Sequence, residues 1–167
     1  MHPIKYTLVT QWHLAAPIEP VWDALMTSEQ WPKWWKYVRQ VVDIQPGDAQ
    51  GLNSVKQFTW SSRFPYRLRF EVQVIAMEQP YWLEAVASGD LNGIGSWKLE
   101  QMAESTRVTY YWSVSTKKPW MNVLAPLLAP AFAWNHDQVM RAGGKGLARH
   151  LGVALLDFQG SGSHKND

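Results

Sequence analysis

One histidine stands where a side chain could do chemistry. Wound at about 100° per residue, the C-terminal stretch puts His136 on one stripe with Phe132, Val139, Met140, Gly143, Leu147 and Leu151. An imidazole titrates near neutral pH and can both donate and accept. In an apolar pocket it could fix a ligand's carbonyl or hydroxyl, or act as general acid or base. The competing reading is a core histidine satisfied by a backbone or tryptophan partner. Asn135 turns toward the edge of the stripe, as a second polar handle or as a hydrogen-bond partner for a loop across the pocket mouth. Asp137 cannot pair with His136, because adjacent residues on a helix diverge by about 100°.

Nothing else in the chain has the spacing of a catalytic or metal motif. His13, His136 and His150 do not match metal-ligand spacing. The sequence holds no cysteine, which rules out disulfides and thiolate metal sites and fits a reducing compartment. There is no glycine-rich phosphate loop, no H-E-x-x-H and no G-x-S-x-G. The expectation is therefore no metal and no cofactor.

The unusual feature is aromatic: 11 of the 167 residues are tryptophan. Trp is large and carries one polar N–H, so it favours pockets and half-wet interfaces. Strand parity turns Trp12, Trp60, Trp97, Tyr110 and Trp112 inward. With Phe132, Asn135, His136, Val139 and Met140 they make the predicted lining of an apolar site. Plain core is the other reading, and it must hold for several of them. Thr10, Lys56 and Glu84 are the polar residues of inward or doubtful parity. An unpaired buried carboxylate is costly, so Glu84 is read as exposed. Arg67, Arg69 and Glu71 are read as a solvated strand face.

The elements that position these residues follow from periodicity. Tyr6, Leu8, Thr10, Trp12 and Leu14 alternate with polar neighbours, a half-buried strand. Pro17 opens a helix to about Met26. A second short helix starts at Thr27-Ser28 and carries Trp31, Trp34 and Trp35. Six further strands are placed at Val38–Ile44, Asn53–Trp60, Tyr66–Glu78, Trp82–Ser88, Ile94–Gln101 and Arg107–Thr116. Short turns such as Pro46-Gly47-Asp48 and Gln79-Pro80 separate them, which predicts an antiparallel meander. The last helix is expected from Pro130 to Leu151. Gly143, Gly144 and Gly146 weaken it unless close packing or a bend explains them. The apolar stretch Trp120 to Trp134 reads as a packed connector, a gate, or a patch that meets a membrane or carrier protein. Pro126 and Pro130 argue against a continuous helix there.

Composition bounds the rest. Hydrophobic residues are 46% and charged ones 18%, the balance of a globular domain. The formal net charge of +2 comes without a clustered basic face, so no nucleic-acid partner is expected. No signal peptide or membrane-spanning segment is read. The expectation is a cytoplasmic monomer or homodimer: one domain over 1–155 and a flexible tail over 156–167.

The order of strand, two short helices, meander and long amphipathic helix resembles the START and polyketide-cyclase superfamily, SRPBCC, which includes the birch-pollen allergen fold. Ala16-Pro17-Ile18-Glu19-Pro20-Val21-Trp22-Asp23-Ala24-Leu25 is similar to that family's opening motif "A-P-x-E-x-V-W-x-x-L", and Trp31-Pro32-Lys33-Trp34-Trp35 to its following helix. The segments Thr116–Met121, Trp134–Asp137 and Gly146–Leu151 resemble a bacterial polyketide cyclase/dehydrase-like branch. The resemblance implies an α+β helix-grip fold, a curved antiparallel sheet of about six or seven strands around the last helix. It does not choose between functions. The aromatic richness favours binding of an apolar or aromatic small molecule. A polyketide cyclase or dehydratase with His136 moving protons is the second reading, and a protein-interaction module built on Trp120–Trp134 the third.

Overall fold

A computed structural model of the chain describes residues 5–116 and 118–161. Its strands are β1 (Lys5–Leu14), β2 (Val38–Gln45), β3 (Val55–Trp60), β4 (Leu68–Glu78), β5 (Trp82–Gly89), β6 (Leu91–Met102), β7 (Ser105–Thr116) and β8 (Leu155–Gln159). Its helices are α1 (Ile18–Met26), α2 (Trp31–Trp34) and α3 (Pro119–Leu151), with a single 3-10 turn at Ser28–Gln30. The strands form one sheet in the order β2-β3-β4-β5-β6-β7-β1-β8, and every pairing is antiparallel. The architecture is the expected α+β helix grip, with eight strands rather than six or seven.

Register explains why the inward faces add up. On β1 and β7, Trp12 lies opposite Val108, Thr10 opposite Tyr110 and Leu8 opposite Trp112. Side chains directly across an antiparallel pair share a face, so both alternating patterns point into one core. In β4 the even-numbered residues Phe70, Val72 and Val74 face inward. Ile75 is an extra residue in the register with β5, and after it Met77 faces Leu83. Such a bulge bends the sheet and flips the parity of the residues after it. On β5 the inward set is Leu83, Ala85 and Ala87, so Glu84 falls on the outer face, as its charge requires.

The connection between β1 and β2 closes one end. α1 has no side-chain cap of its own. Instead Gln101 Oε1 accepts the Ile18 N–H at 2.9 Å, and Thr106 Oγ1 donates to the Ala16 carbonyl at 2.7 Å. Gln101 thus satisfies one N–H that the helix start leaves open, and Thr106 fixes the chain just before it.

α3 departs from expectation by starting at Pro119 rather than near Pro130, with Pro126 and Pro130 inside it. Both prolines sit on its exposed side, while Met121 and Ala125 are buried on the inner one. Each proline removes one N–H donor, and packing of the inner face carries the helix through.

The end of the chain also differs. Leu155–Gln159 lies across and beyond the expected domain boundary at 155, and pairs with β1. Beyond it, the Ser161 N–H and hydroxyl both donate to Asp137 Oδ1, at 2.9 and 2.8 Å. A strand of five residues is too short to show a period, whereas the open edge of β1 offers it a full set of backbone partners. The rest of the expected tail, 162–167, lies outside the described residues.

The glycines of α3 are explained by packing. A Cβ on Gly143 would overlap the Trp35 indole, one on Gly144 would sit 3.0 Å from the Trp12 ring, and one on Gly146 would collide with the Trp34 carbonyl oxygen. The helix backbone itself is the surface on which the tryptophans lie.

Candidate functional site

The sheet curves over α3 and leaves a cavity of about 640 Å3 between them. Small residues set its floor: Ala85 and Ala87 on β5 and Gly95 on β6. Larger rings stand around them. Trp97 stacks on Tyr110 at 4.2 Å between centroids, Tyr110 on Trp112 at 5.8 Å, and Phe70 follows Trp112 at 5.8 Å. A Cβ on Gly95 would come within 3.0 Å of Tyr110 and Trp112, so only glycine leaves these rings their places.

Of the ten residues named from the sequence, nine lie on the wall of this cavity: Trp60, Trp97, Tyr110 and Trp112 from the sheet, and Phe132, Asn135, His136, Val139 and Met140 from α3. Trp12 does not. It is 1% exposed, set between Trp35 and Trp97, and its indole N–H donates to the Met140 carbonyl at 3.0 Å. Its parity is inward, but it reaches the backbone of α3 and packs there instead of bordering the cavity.

Sequence reasoning missed Tyr6, Trp31, Trp35 and Tyr66 as lining residues. For Tyr6 and Tyr66 a signal existed, because both share the inward parity of their segments. For Trp31 and Trp35 none did, since a short helix does not reveal which way it docks. Lys56 lies at the mouth formed with residues 46–51. It is ion-paired with Glu29 at 2.8 Å and Asp43 at 3.5 Å. Burial raises the Glu29 carboxyl, but the Lys56 hydrogen bond and charge outweigh it and hold the pKa below its ordinary value. The mouth loop is braced by Asp48, whose Oδ1 accepts from the N–H groups of Gln50 and Leu52 at 2.9 and 3.0 Å. Among the described residues, the charged side chains of the lining are Asp43, Asp48 and Lys56. The interior is therefore apolar and aromatic.

Four polar atoms break that pattern. Tyr6 OH, Trp60 Nε1, Asn135 Oδ1 and His136 Nδ1 are buried, belong to lining residues, and have no protein partner among the described residues. Their residues lie along one stretch of α3 or against rings that pack on it. Asn135 and His136 are adjacent, Tyr6 meets Phe132 one turn earlier at 5.7 Å, and Trp60 meets Trp35 at 4.9 Å. Trp35 in turn donates to the Val139 carbonyl at 2.8 Å. Burial pulls the His136 pKa down to about 4, with Asp137 opposing only in part, so the ring is neutral at physiological pH. Burial also raises the Tyr110 and Tyr6 phenols, which stay protonated donors. Such a site can hydrogen-bond neutral oxygen functions; it offers no free charge to an ion. Among the described residues no group of His, Asp and Glu is placed to hold a metal.

The sequence matches the family model described as "Polyketide cyclase / dehydrase and lipid transport" over residues 6–152. No curated protein matches it. The fold is similar to that of several solved structures. TTHA0849 from Thermus thermophilus superposes with a TM-score of 0.70 at 14% identity, over 87% of this chain and 99% of that one. The Zhui aromatase/cyclase from Streptomyces sp. R1128 gives 0.71 at 11% identity, over 88% and 93%. A START superfamily protein from Mycobacterium smegmatis gives 0.69 at 12% identity, over 87% and 99%. At these identities the likeness is one of fold.

Proposed function

We propose, because the chain belongs to the polyketide cyclase / dehydrase and lipid transport family, that its cavity binds a neutral, ring-bearing hydrophobic molecule decorated with hydroxyl or carbonyl oxygens. The observation that carries this reading is the set of four unpartnered polar atoms in an otherwise apolar cavity. A buried polar group without a partner costs about 1–3 kcal/mol, which a ligand oxygen would recover. Tyr6 OH and Trp60 N–H are donors for a carbonyl; Asn135 Oδ1 is an acceptor for a hydroxyl, and His136 Nδ1 accepts or donates according to its tautomer. The aromatic walls suit a flat ring system. The test is titration of tryptophan fluorescence with a hydroxylated anthraquinone and with anthracene. Saturable binding of the first, at least about tenfold tighter than the second, is expected. Equal affinities, or no binding of either, would overturn the reading.

A second reading is a cyclase or dehydratase in the same cavity, favoured by the unpartnered Nδ1 of His136, which in the Nε2–H tautomer presents a lone pair to a proton. A conjugate acid with a pKa of about 4 makes this a weak base at neutral pH, so positioning would supply most of the rate. Turnover of a poly-β-ketone substrate that is lost in His136→Gln is expected; no turnover by the parent would exclude the reading, and turnover that survives unchanged would exclude His136 as its proton carrier.

A further inference from the structure

The first half of α3 is apolar on both sides. Met121 and Phe132 line the cavity, and Ala125 is buried beside them at 1% exposure. The opposite side carries Trp120, Val123, Leu124 and Leu127, spaced i, i+3, i+4 and i+7, which makes a complete helical stripe. They are exposed to 44, 65, 42 and 78%, and Trp134 extends the stripe at 47%. Four large apolar residues in helical register, turned to water, form a contiguous patch of the kind that marks an interaction surface.

The charge around the patch selects the partner. From Ser105 to His136 the chain contains no acidic residue. Lys118 opens the helix, and among the described residues its acidic partner is Asp90 at 4.0 Å. The loop after β3 abuts the same end, with Phe64 6.0 Å from Phe132 and Tyr66 5.7 Å from Trp120. That loop brings exposed Arg63 and Arg67, and Arg63 lies 5.6 Å over the Trp134 ring. An apolar stripe with tryptophans at its two ends and guanidinium and ammonium groups beside it has the chemistry of an interfacial helix. In a helix of that kind indoles sit at headgroup depth, aliphatic residues enter the acyl boundary, and cations meet anionic headgroups.

We propose that the outer face of α3 between Trp120 and Trp134 docks on an anionic lipid surface, lying flat in the interface. The helix does not span it: no described helix is long and apolar enough to cross a membrane. The inner face of the same turns lines the cavity, so docking sets the cavity wall against the bilayer.

The test is flotation of the full chain with vesicles of phosphatidylcholine alone and of phosphatidylcholine mixed with phosphatidylglycerol, at low and high salt. The expected result is binding to the mixed vesicles, weakened by salt, and lost by on the order of tenfold in the double variant Val123→Asp, Leu127→Asp. Both positions point to solvent outside the cavity, so folding and anthraquinone binding should be unchanged, which separates this test from that of the cavity. Absence of binding to mixed vesicles, equal binding to both vesicle types, or full retention by the double variant would overturn the proposal. So would a concentration-dependent dimer in sedimentation velocity that the double variant abolishes, if neither protein floats; the stripe would then join two copies of this chain.

Discussion

The indole N–H of Trp35 donates to the backbone carbonyl of Val139 at 2.8 Å, across 104 positions of sequence. Trp12 does the same to the next carbonyl, that of Met140, at 3.0 Å. Two rings, one from the segment after α2 and one from β1, therefore hold α3 by its backbone. The glycines at 143 and 144 keep the helix surface low enough for both rings to lie on it.

Gly143→Ala and Gly146→Ala should each destabilise the protein. Alanine gains up to about 1 kcal/mol in helix propensity over glycine, but overpacking costs about 1–3 kcal/mol and more where the obstacle is backbone. Gly146 meets the Trp34 carbonyl oxygen, so it should lose more than Gly143, whose obstacle is a side chain. Denaturant midpoints measure both. A variant as stable as the parent would refute the packing explanation of these glycines.

His136 should make the fold sensitive to acid. Its pKa is about 4 in the folded protein and about 6.5 in the unfolded chain. Above the higher value both states are neutral and the group contributes nothing to the pH dependence. As pH falls from 6.5 toward 4, only the unfolded chain takes the proton, so stability drops, by at most about 3 kcal/mol. His136→Gln should show a shallower loss across that window. Parallel stability curves for the two proteins would contradict the burial of this ring.

The floor of the cavity should determine what fits. Ala85 and Ala87 are lining residues with small side chains. Ala87→Phe is expected to project a ring into existing space, reducing anthraquinone affinity on the order of tenfold while the melting temperature holds or rises, as cavity filling does. Loss of the fold instead would mean that the space is already filled by neighbouring rings.

The Lys56–Glu29 pair should matter little to stability. Lys56 keeps 19% of its side-chain surface and Glu29 44%, and such half-wet ion pairs contribute about 1 kcal/mol or less. Lys56→Ala should shift the denaturant midpoint barely at all. Its measurable effect should be faster ligand association in stopped-flow fluorescence, since the pair ties the 3-10 turn to the cavity mouth.

Much of this site is legible from parity. Alternation in β1, β4 and β7 turns the correct residues inward, and the 3.6-residue period chooses the face of α3 that carries His136. Parity cannot measure depth, which is why Trp12 shares the pattern of the lining and yet reaches the helix backbone. The bulge at Ile75 resets the parity of β4 without leaving a turn residue to mark it. The prolines of α3 mislead because their effect depends on which side of the helix they occupy, and that is fixed by packing. β8 is hidden by its length: five residues acquire strand character from the edge of β1, not from their own pattern.

The ring assembly also has an optical consequence. Trp12, Trp31, Trp35, Trp60, Trp97 and Tyr110 are joined by centroid separations of 4.2 to 6.4 Å. At such spacing excitation can pass between neighbouring indoles before it is emitted, so the emission of one ring depends on those around it. Removing one of these tryptophans should therefore change the emission of its neighbours as well as its own. Trp120, whose ring partner is Tyr66 at 5.7 Å, stands apart from the cluster. A red-edge emission component from that position would describe the outer face of α3, and the bulk of the signal would describe the cavity.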